Sequence, residues 1–287
     1  MEGLDLEIEE GEIIGYIGAN GAGKSTTVKM LTGIMEPTSG RIEVNGRNPS
    51  EERKANAMDI GVVFGQKTQL WWDLPVRDSF RLLRKIYEVS EEEFDRRMDE
   101  FNDVLQLEDF LDTPVRKLSL GQKMRCELAA AFLHEPPIVY LDEPTIGLDV
   151  AVKERIREFV KKMNRERDTT VMLTTHDIGD IEDLCERVVV LDEGRKIYDG
   201  ELDALVDRFT SRRLVLELEG GFELDMEGVL EIEDTEEGYE VVFDREEVSA
   251  ADLMREVLEV YDVSDFQIRE PDIESVVKKI YNEGLHE

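Results

Sequence analysis

Apolar positions along the chain fall into short runs, most of them followed by a polar turn and a stretch with helical spacing. IIGYI, residues 13–17, leads into a glycine-rich turn and predicts a buried strand. KSTTVKMLTG then sets Val28, Leu31 and Ile34 at helical spacing, with Gly33 near its end. RIEVNG alternates as a strand does before a turn. From Arg77 to about Leu107 two helices are predicted, RDSFRLLRKIYE and EEEFDRRMDEFNDVLQL, the second opened by Ser90 as its N-cap. QKMRCELAAAFLHE predicts another helix. PIVYLDEP and TTVMLTTH predict strands on either side of a charged helix, AVKERIREFVKKMNRE. Strands alternating with helices in this way predict an α/β fold with a mostly parallel sheet covered on both faces.

After about Gly200 the texture changes. RRLVLELEGG and VLEIEDTEEGYEVVFD predict strands, the second stretch a pair joined by an acidic turn with Gly238. A helix, SAADLMREVLEVY, a strand, DFQIRE, and a last helix, PDIESVVKKIYNE with Pro271 near its start, complete a small α+β unit. Two domains are therefore expected: 1–204, with a helical part at about 76–134, and 205–287, which holds no glycine-rich loop or reactive cluster.

Composition narrows the functions open to such a chain. Its 287 residues, 41% hydrophobic, are ample for a core. No apolar run reaches the length of a membrane span, and the N-terminus has no signal-peptide pattern, so a membrane role has to come through a partner. With 35 Lys and Arg against 68 Asp and Glu, the net charge is −33, and nucleic acid is not an expected partner. So many carboxylates suit a salty cytoplasm, where screening relieves their mutual repulsion. Unfolding free energy, measured by denaturant titration, is expected to rise between low and molar salt; a flat response would remove that reading. Cys126 and Cys185 lie far apart with no metal-ligand spacing, as expected of two reduced thiols.

Candidate chemistry begins at GANGAGKST, which fits the phosphate-loop pattern from Gly18 to Ser25, after a strand and before a helix. The small residues Gly18, Asn20, Gly21, Ala22 and Gly23 let backbone N–H groups curl around a phosphate, and the helix N-terminus adds its positive end. Lys24 would reach the outer phosphates, the Ser25 hydroxyl would ligate Mg²⁺, and Thr26 would lie against the inner phosphates. PPIVYLDEP delivers Asp142 and Glu143 at a strand exit, where ligands bind in open parallel sheets. Asp142 suits the Mg²⁺ shell, and Glu143 suits a general base for the attacking water. By itself an Asp-Glu pair can simply end a strand; beside a phosphate loop it reads as nucleotide hydrolysis.

Three further stretches, in order, decide which kind: VFGQKTQLWWDLP, KLSLGQKMR and TTVMLTTHD. With them, about residues 1 to 200 resemble the ATP-binding cassette (ABC) family, and more narrowly the ATPase subunits of drug-resistance-type exporters whose permease is a separate polypeptide. The resemblance implies ATP and Mg²⁺ as cofactors and a P-loop fold with a helical subdomain. It implies that Gln66 touches Mg²⁺ and water, and that Ser119, Gly121 and Gln122 of the LSLGQ signature serve the γ-phosphate held by a second copy. Asp149 of the GLD loop would contact that copy, and His176 would contact the γ-phosphate and orient Glu143. The resemblance also places the chain at the inner face of the cell membrane, held there by the permease. A soluble cassette ATPase of translation or DNA maintenance would instead carry a second cassette, long insertions or basic surfaces. A nucleotide-occupied regulatory module, with little turnover, is the other alternative.

The chain departs from the family pattern twice. Leu120 stands at the middle glycine of the signature, although Gly121 still allows close backbone approach. Family cassettes also begin with an aromatic that stacks on adenine, and here no aromatic precedes Tyr16. Trp71 and Trp72, with Leu74 and Pro75, are expected to seat a helix of the permease. Neighbouring residues face opposite ways, so one tryptophan is expected in the core and the other exposed. The C-terminal part resembles extensions on exporter cassettes that help the pair assemble or regulate it; a stabilising appendage is the plain alternative.

Overall fold

A computed structural model describes residues 3–65, 67–175, 177–207, 211–218, 220–235, 238–244 and 247–269. The elements run β1 (Ile13–Gly18), α1 (Lys24–Leu31), α2 (Arg53–Asp59), β2 (Ile60–Phe64), α3 (Val76–Ile86), α4 (Glu91–Leu105), α5 (Leu120–Phe132), β3 (Ile138–Asp142), α6 (Val150–Arg167), β4 (Thr170–Thr174), α7 (Ile178–Leu184), β5 (Arg187–Asp192), β6 (Arg195–Glu201) and α8 (Leu202–Asp207). β7 (Ser211–Leu218), β8 (Val229–Thr235), β9 (Gly238–Asp244), α9 (Ala250–Val260) and β10 (Val263–Arg269) follow. The chain divides into two compact units, Met1–Gly200 and Glu201–Glu287.

In the first unit six strands lie in the order β2-β3-β4-β1-β5-β6. β2 to β5 pair in parallel around β1, so Gly18, Phe64, Asp142 and Thr174 all stand at the C-terminal strand ends. Such strands are buried on both faces and therefore read as continuous apolar runs rather than alternation. Ile14, Tyr16, Tyr140, Met172 and Val189 form one side of the core with Val28 of α1. Phe159 of α6 meets Phe101 of α4 and Phe132 of α5 edge-on, both at 5.2 Å between ring centroids, which locks three helices together. α5 lies so close on β2 that a side chain at Gly61 would run into the Ala131 carbonyl.

Local signals behave as the residues dictate. Ser90 caps α4, its side chain accepting from the Glu93 N–H, as expected. β5 and β6 form a hairpin through Glu193 and Gly194, both in the left-handed region that a two-residue turn needs. RIEVNG, expected as a strand, holds only a bridge between Val44 and Arg47 closed by Asn45-Gly46, both at positive φ. The turn residues win over the alternation there. α2 and β2 had no expectation. Neither tryptophan enters the core: Trp71 is 38% exposed and Trp72 54%, and Leu70 is buried instead. The two sit in a turn, closed by the Leu74 N–H on the Trp71 carbonyl at 3.1 Å, where strand alternation does not apply.

The second unit carries an antiparallel sheet, β10-β7-β9-β8. Its core is Leu214, Leu216, Val241 and Phe243 from the sheet against Leu253, Met254 and Val257 of α9. The helix expected at PDIESVVKKIYNE lies outside the described residues.

Candidate active site

β1 ends at Gly18, and the turn after it passes through Gly21 at φ 92° and Gly23 at φ 107°, left-handed values that glycine adopts without strain. Gly23 occupies the N-cap of α1 and offers no side chain to the first turn, which also contains no acidic residue. In a chain of charge −33 this is telling, because α4 opens on Glu91, Glu92 and Glu93. The bare end of α1 keeps its positive pole and first-turn amides for an incoming anion. Asn20 and Gly21 are exposed on the loop, Ala22 is buried beneath it, and Thr26 is partly covered.

Lys24 is buried, its ammonium donating to the Gly18 carbonyl at 2.5 Å and the Ala19 carbonyl at 3.3 Å. Burial lowers its pKa, and the carboxylates of Glu143 and Asp142 act in the opposite direction. The Ser25 hydroxyl donates to Asp142 Oδ2 at 3.4 Å, and Thr174 holds the other oxygen of Asp142 at 2.6 Å. Thus Lys24, Ser25, Asp142 and Glu143 come together from two strand ends. Thr174, which fixes the carboxylate, had no signal in the sequence beyond its place on a strand.

Glu143 adopts φ 55°, and its N–H donates to the Thr174 carbonyl at 2.8 Å. A non-glycine residue in the left-handed region costs about 1 to 2 kcal/mol. Such strain collects where a side chain has to point in one particular direction. The donor set of Ser25 hydroxyl and one carboxylate, all oxygen, fits Mg²⁺, which takes few protein ligands and completes its shell from phosphate and water. Among the described residues no cluster of three or more His, Cys, Asp or Glu competes for a metal.

A second group lies at the start of α5. Ser119 caps the helix, accepting from the Gln122 N–H at 3.2 Å, while Gln122 Oε1 accepts from the Ser119 N–H at 2.9 Å. This capping box uses the Gln122 carboxamide within the chain. The first turn of α5, like that of α1, contains no acidic residue. Leu120 is 43% exposed and rests on Gly147, and Gly121 packs on Val152. Asp149 caps α6 by accepting from the Val152 N–H at 3.0 Å, so the LSLGQ and GLD stretches form one surface.

Gln66 and His176 lie outside the described residues. The residues flanking position 176 are firmly held. Asp180, fully buried, accepts from Thr145, from Thr175 at 3.3 Å and from Arg157 at 2.7 Å. Asp177 pairs with Lys153 and Arg157. This network, which joins the segment after Glu143 to α6, was invisible in the sequence because HDIGDIEDL reads as a solvated acidic stretch.

Tyr16 is fully buried, its hydroxyl 3.0 Å from that of Thr27, and burial pushes its pKa up to about 12. It is a core residue, unavailable for stacking on a base. Tyr16→Phe is expected to lower stability by about 1 kcal/mol in denaturant unfolding. Preference between ATP and GTP, read by nucleotide competition, should be unchanged.

Residues 1–146 match the family model described as "ABC transporter". The chain is 30% identical over 211 residues to the ABC transporter ATP-binding protein NatA of Bacillus subtilis, covering 74% of this chain and 85% of NatA. It is 37% identical over 207 residues to the methionine import ATP-binding protein MetN of Geobacillus kaustophilus, covering 70% of this chain and 60% of MetN. It is also 34% identical over 207 residues to the Nod factor export ATP-binding protein I of Cupriavidus metallidurans, covering 72% and 68%. Among solved structures it resembles a dimeric ATP-binding cassette in a post-hydrolysis state bound to ADP and Pi, with TM-score 0.61, 32% identity, and coverage of 69% and 88%. No helix among the described residues is long and apolar enough to cross a membrane. A glycine loop opening α1, a strand delivering Asp142 and Glu143 beside it, and a capped signature helix occur here together with that likeness, and the chain belongs to the ABC transporter family as one of its ATP-binding cassettes.

Proposed function

We propose that the chain hydrolyses ATP as the motor subunit of an ABC exporter, acting as a head-to-tail pair on a separate permease at the inner face of the membrane. The observation that supports it best is the pair of helix N-termini, α1 and α5, whose first turns are free of carboxylates in so acidic a chain. Each is suited to one side of a bound triphosphate. Exporter names among the relatives favour the outward direction, although the likeness to MetN includes an importer.

In this reading the Gly18–Ser25 loop binds the phosphates of one nucleotide, with Lys24 on the outer ones and Thr26 toward the inner ones. Ser25 and Asp142 would hold Mg²⁺, which when bound would neutralise phosphate charge. Ser119 and Gly121 of the second copy close over the γ-phosphate, and Asp149 meets that copy. Glu143 accepts the proton of the attacking water, while Gln66 and His176 act as the family resemblance implies. Trp71, Trp72, Leu74 and Pro75 seat a helix of the permease.

Steady-state phosphate release by the purified chain with Mg²⁺ and ATP tests the proposal. Release that stops on chelation supports it. Tight ATP binding without release, even with the permease present, would instead indicate a nucleotide-occupied regulatory module.

A further inference from the structure

The signature helix α5 holds a carboxylate where an apolar residue would pack. Glu127 is 2% exposed, within a run from Cys126 to Phe132 that is otherwise apolar and wholly buried. A buried carboxylate costs several kcal/mol unless its oxygens are satisfied. Among the described residues, the hydrogen bonds that its carboxylate accepts come from the loop that follows β2. The Thr68 hydroxyl donates to one oxygen and the Gln69 N–H to the other at 3.1 Å. The Gln69 side chain adds a second fastening, donating to the Glu127 carbonyl at 3.2 Å and to the Val62 carbonyl of β2 at 3.4 Å. Thr68 also accepts from the Leu70 N–H at 3.2 Å, which turns the loop outward just before the tryptophans. Four residues earlier on α5, Lys123 sits over the Trp72 ring, 5.7 Å from its centroid. Residues four apart share one face of a helix. One face of the signature helix therefore grips this loop at its base and at its tip.

We propose that Glu127 is a positioning residue that fastens the loop bearing Trp71 and Trp72 to the signature helix, so that closure of the signature over nucleotide and displacement of the permease seat are one movement. The inference rests on the proposed function and adds the part that transmits the motion. The loop begins immediately after the strand that pairs with β3, with the Gly65 N–H on the Asp142 carbonyl at 2.7 Å, so it starts at the hydrolytic site. Its far side is joined to the approach to the signature by backbone bonds, Val115 N–H to Leu74 O and Arg116 N–H to Trp72 O, both 3.0 Å. Burial raises the pKa of Glu127, and the Thr68 and Gln69 hydrogen bonds and the charge of Lys123 favour the ionised, accepting form.

Both tryptophans of the chain lie in this loop, so tryptophan emission, excited selectively over tyrosine, and its quenching by acrylamide report on the loop alone. The experiment uses the full chain carrying Glu143→Gln, with ATP binding followed separately by displacement of a fluorescent analogue. ATP is expected to change tryptophan quenching in this parent. Adding Glu127→Ala is expected to shrink that change about threefold while ATP affinity stays within about twofold, because coupling is lost and the phosphate contacts are not. Glu127→Gln, which keeps the shape and one acceptor, should restore part of the response. Thr68→Val removes the same hydrogen bond from the loop side and serves if Glu127→Ala does not fold. An undiminished response in Glu127→Ala or Thr68→Val overturns the inference, as does a parent that binds ATP without any tryptophan response. A parent that binds no ATP refutes the proposed function itself, and the inference falls with it.

Discussion

Glu143→Gln is expected to keep ATP binding, to accumulate as an ATP-bound pair and to lose hydrolysis by about 10² to 10⁴-fold, the range of a missing general base. Glu143 and Asp142 are adjacent yet cannot do the same work. Asp142 is committed through one oxygen to Thr174 and through the other to the Ser25 hydroxyl. Glu143 leaves the strand at φ 55°, so its side chain departs in another direction. Glutamine preserves the shape and the backbone and removes only the ability to take a proton. The phosphate loop is untouched, and ATP should still bring two copies together, visible as a doubling of mass in light scattering on a sizing column. Glu143→Gly separates strain from chemistry. Glycine adopts the left-handed conformation freely, which offsets about 1 kcal/mol of whatever the lost side chain contributed. That variant is expected to be as inactive as Glu143→Gln without a matching loss of stability in denaturant titration. Substantial turnover in either would exclude Glu143 as the base.

The candidate site was legible wherever it is built from consecutive residues. A loop of small residues must be written contiguously, and Asp142 and Glu143 follow an apolar strand because parallel strands present their ends to ligand. The α/β order was legible for the same reason. Tertiary choices were not. RIEVNG alternates, but Asn45-Gly46 turns the chain before a ladder can form. Trp71 and Trp72 obey a turn rather than a strand, so both are exposed. Glu127 and Asp180 are charged residues in helical segments, where the default is a solvated face. The one visible hint was that Glu127 interrupts an apolar stretch, CELAAAF.

Ser119→Asp is expected to leave the fold intact and reduce hydrolysis about 10²-fold, the loss that follows when a charge-stabilising contact to the reacting group is removed. Aspartate caps a helix as well as serine, so the bond from the Gln122 N–H survives and stability should change by less than about 0.5 kcal/mol. The difference is electrostatic: a carboxylate now occupies the start of α5, whose first turn contains none, and repels the γ-phosphate of the opposite copy. The chain's own Lys24 loop is unaltered, so a single copy should bind ATP with its original affinity. This separation allows a test by mixing. Chains carrying Lys24→Ala lose the ammonium of the phosphate loop but keep the signature, and chains carrying Ser119→Asp keep the phosphate loop intact and lose the signature. Each alone is inactive. In a head-to-tail pair of one of each, one of the two sites regains both intact halves. If pairing is random, half the pairs are mixed and half their sites work, so hydrolysis should return to about a quarter of wild type. A mixture that cross-linking shows to contain mixed pairs, yet stays as inactive as its parents, would mean that the two copies share no triphosphate.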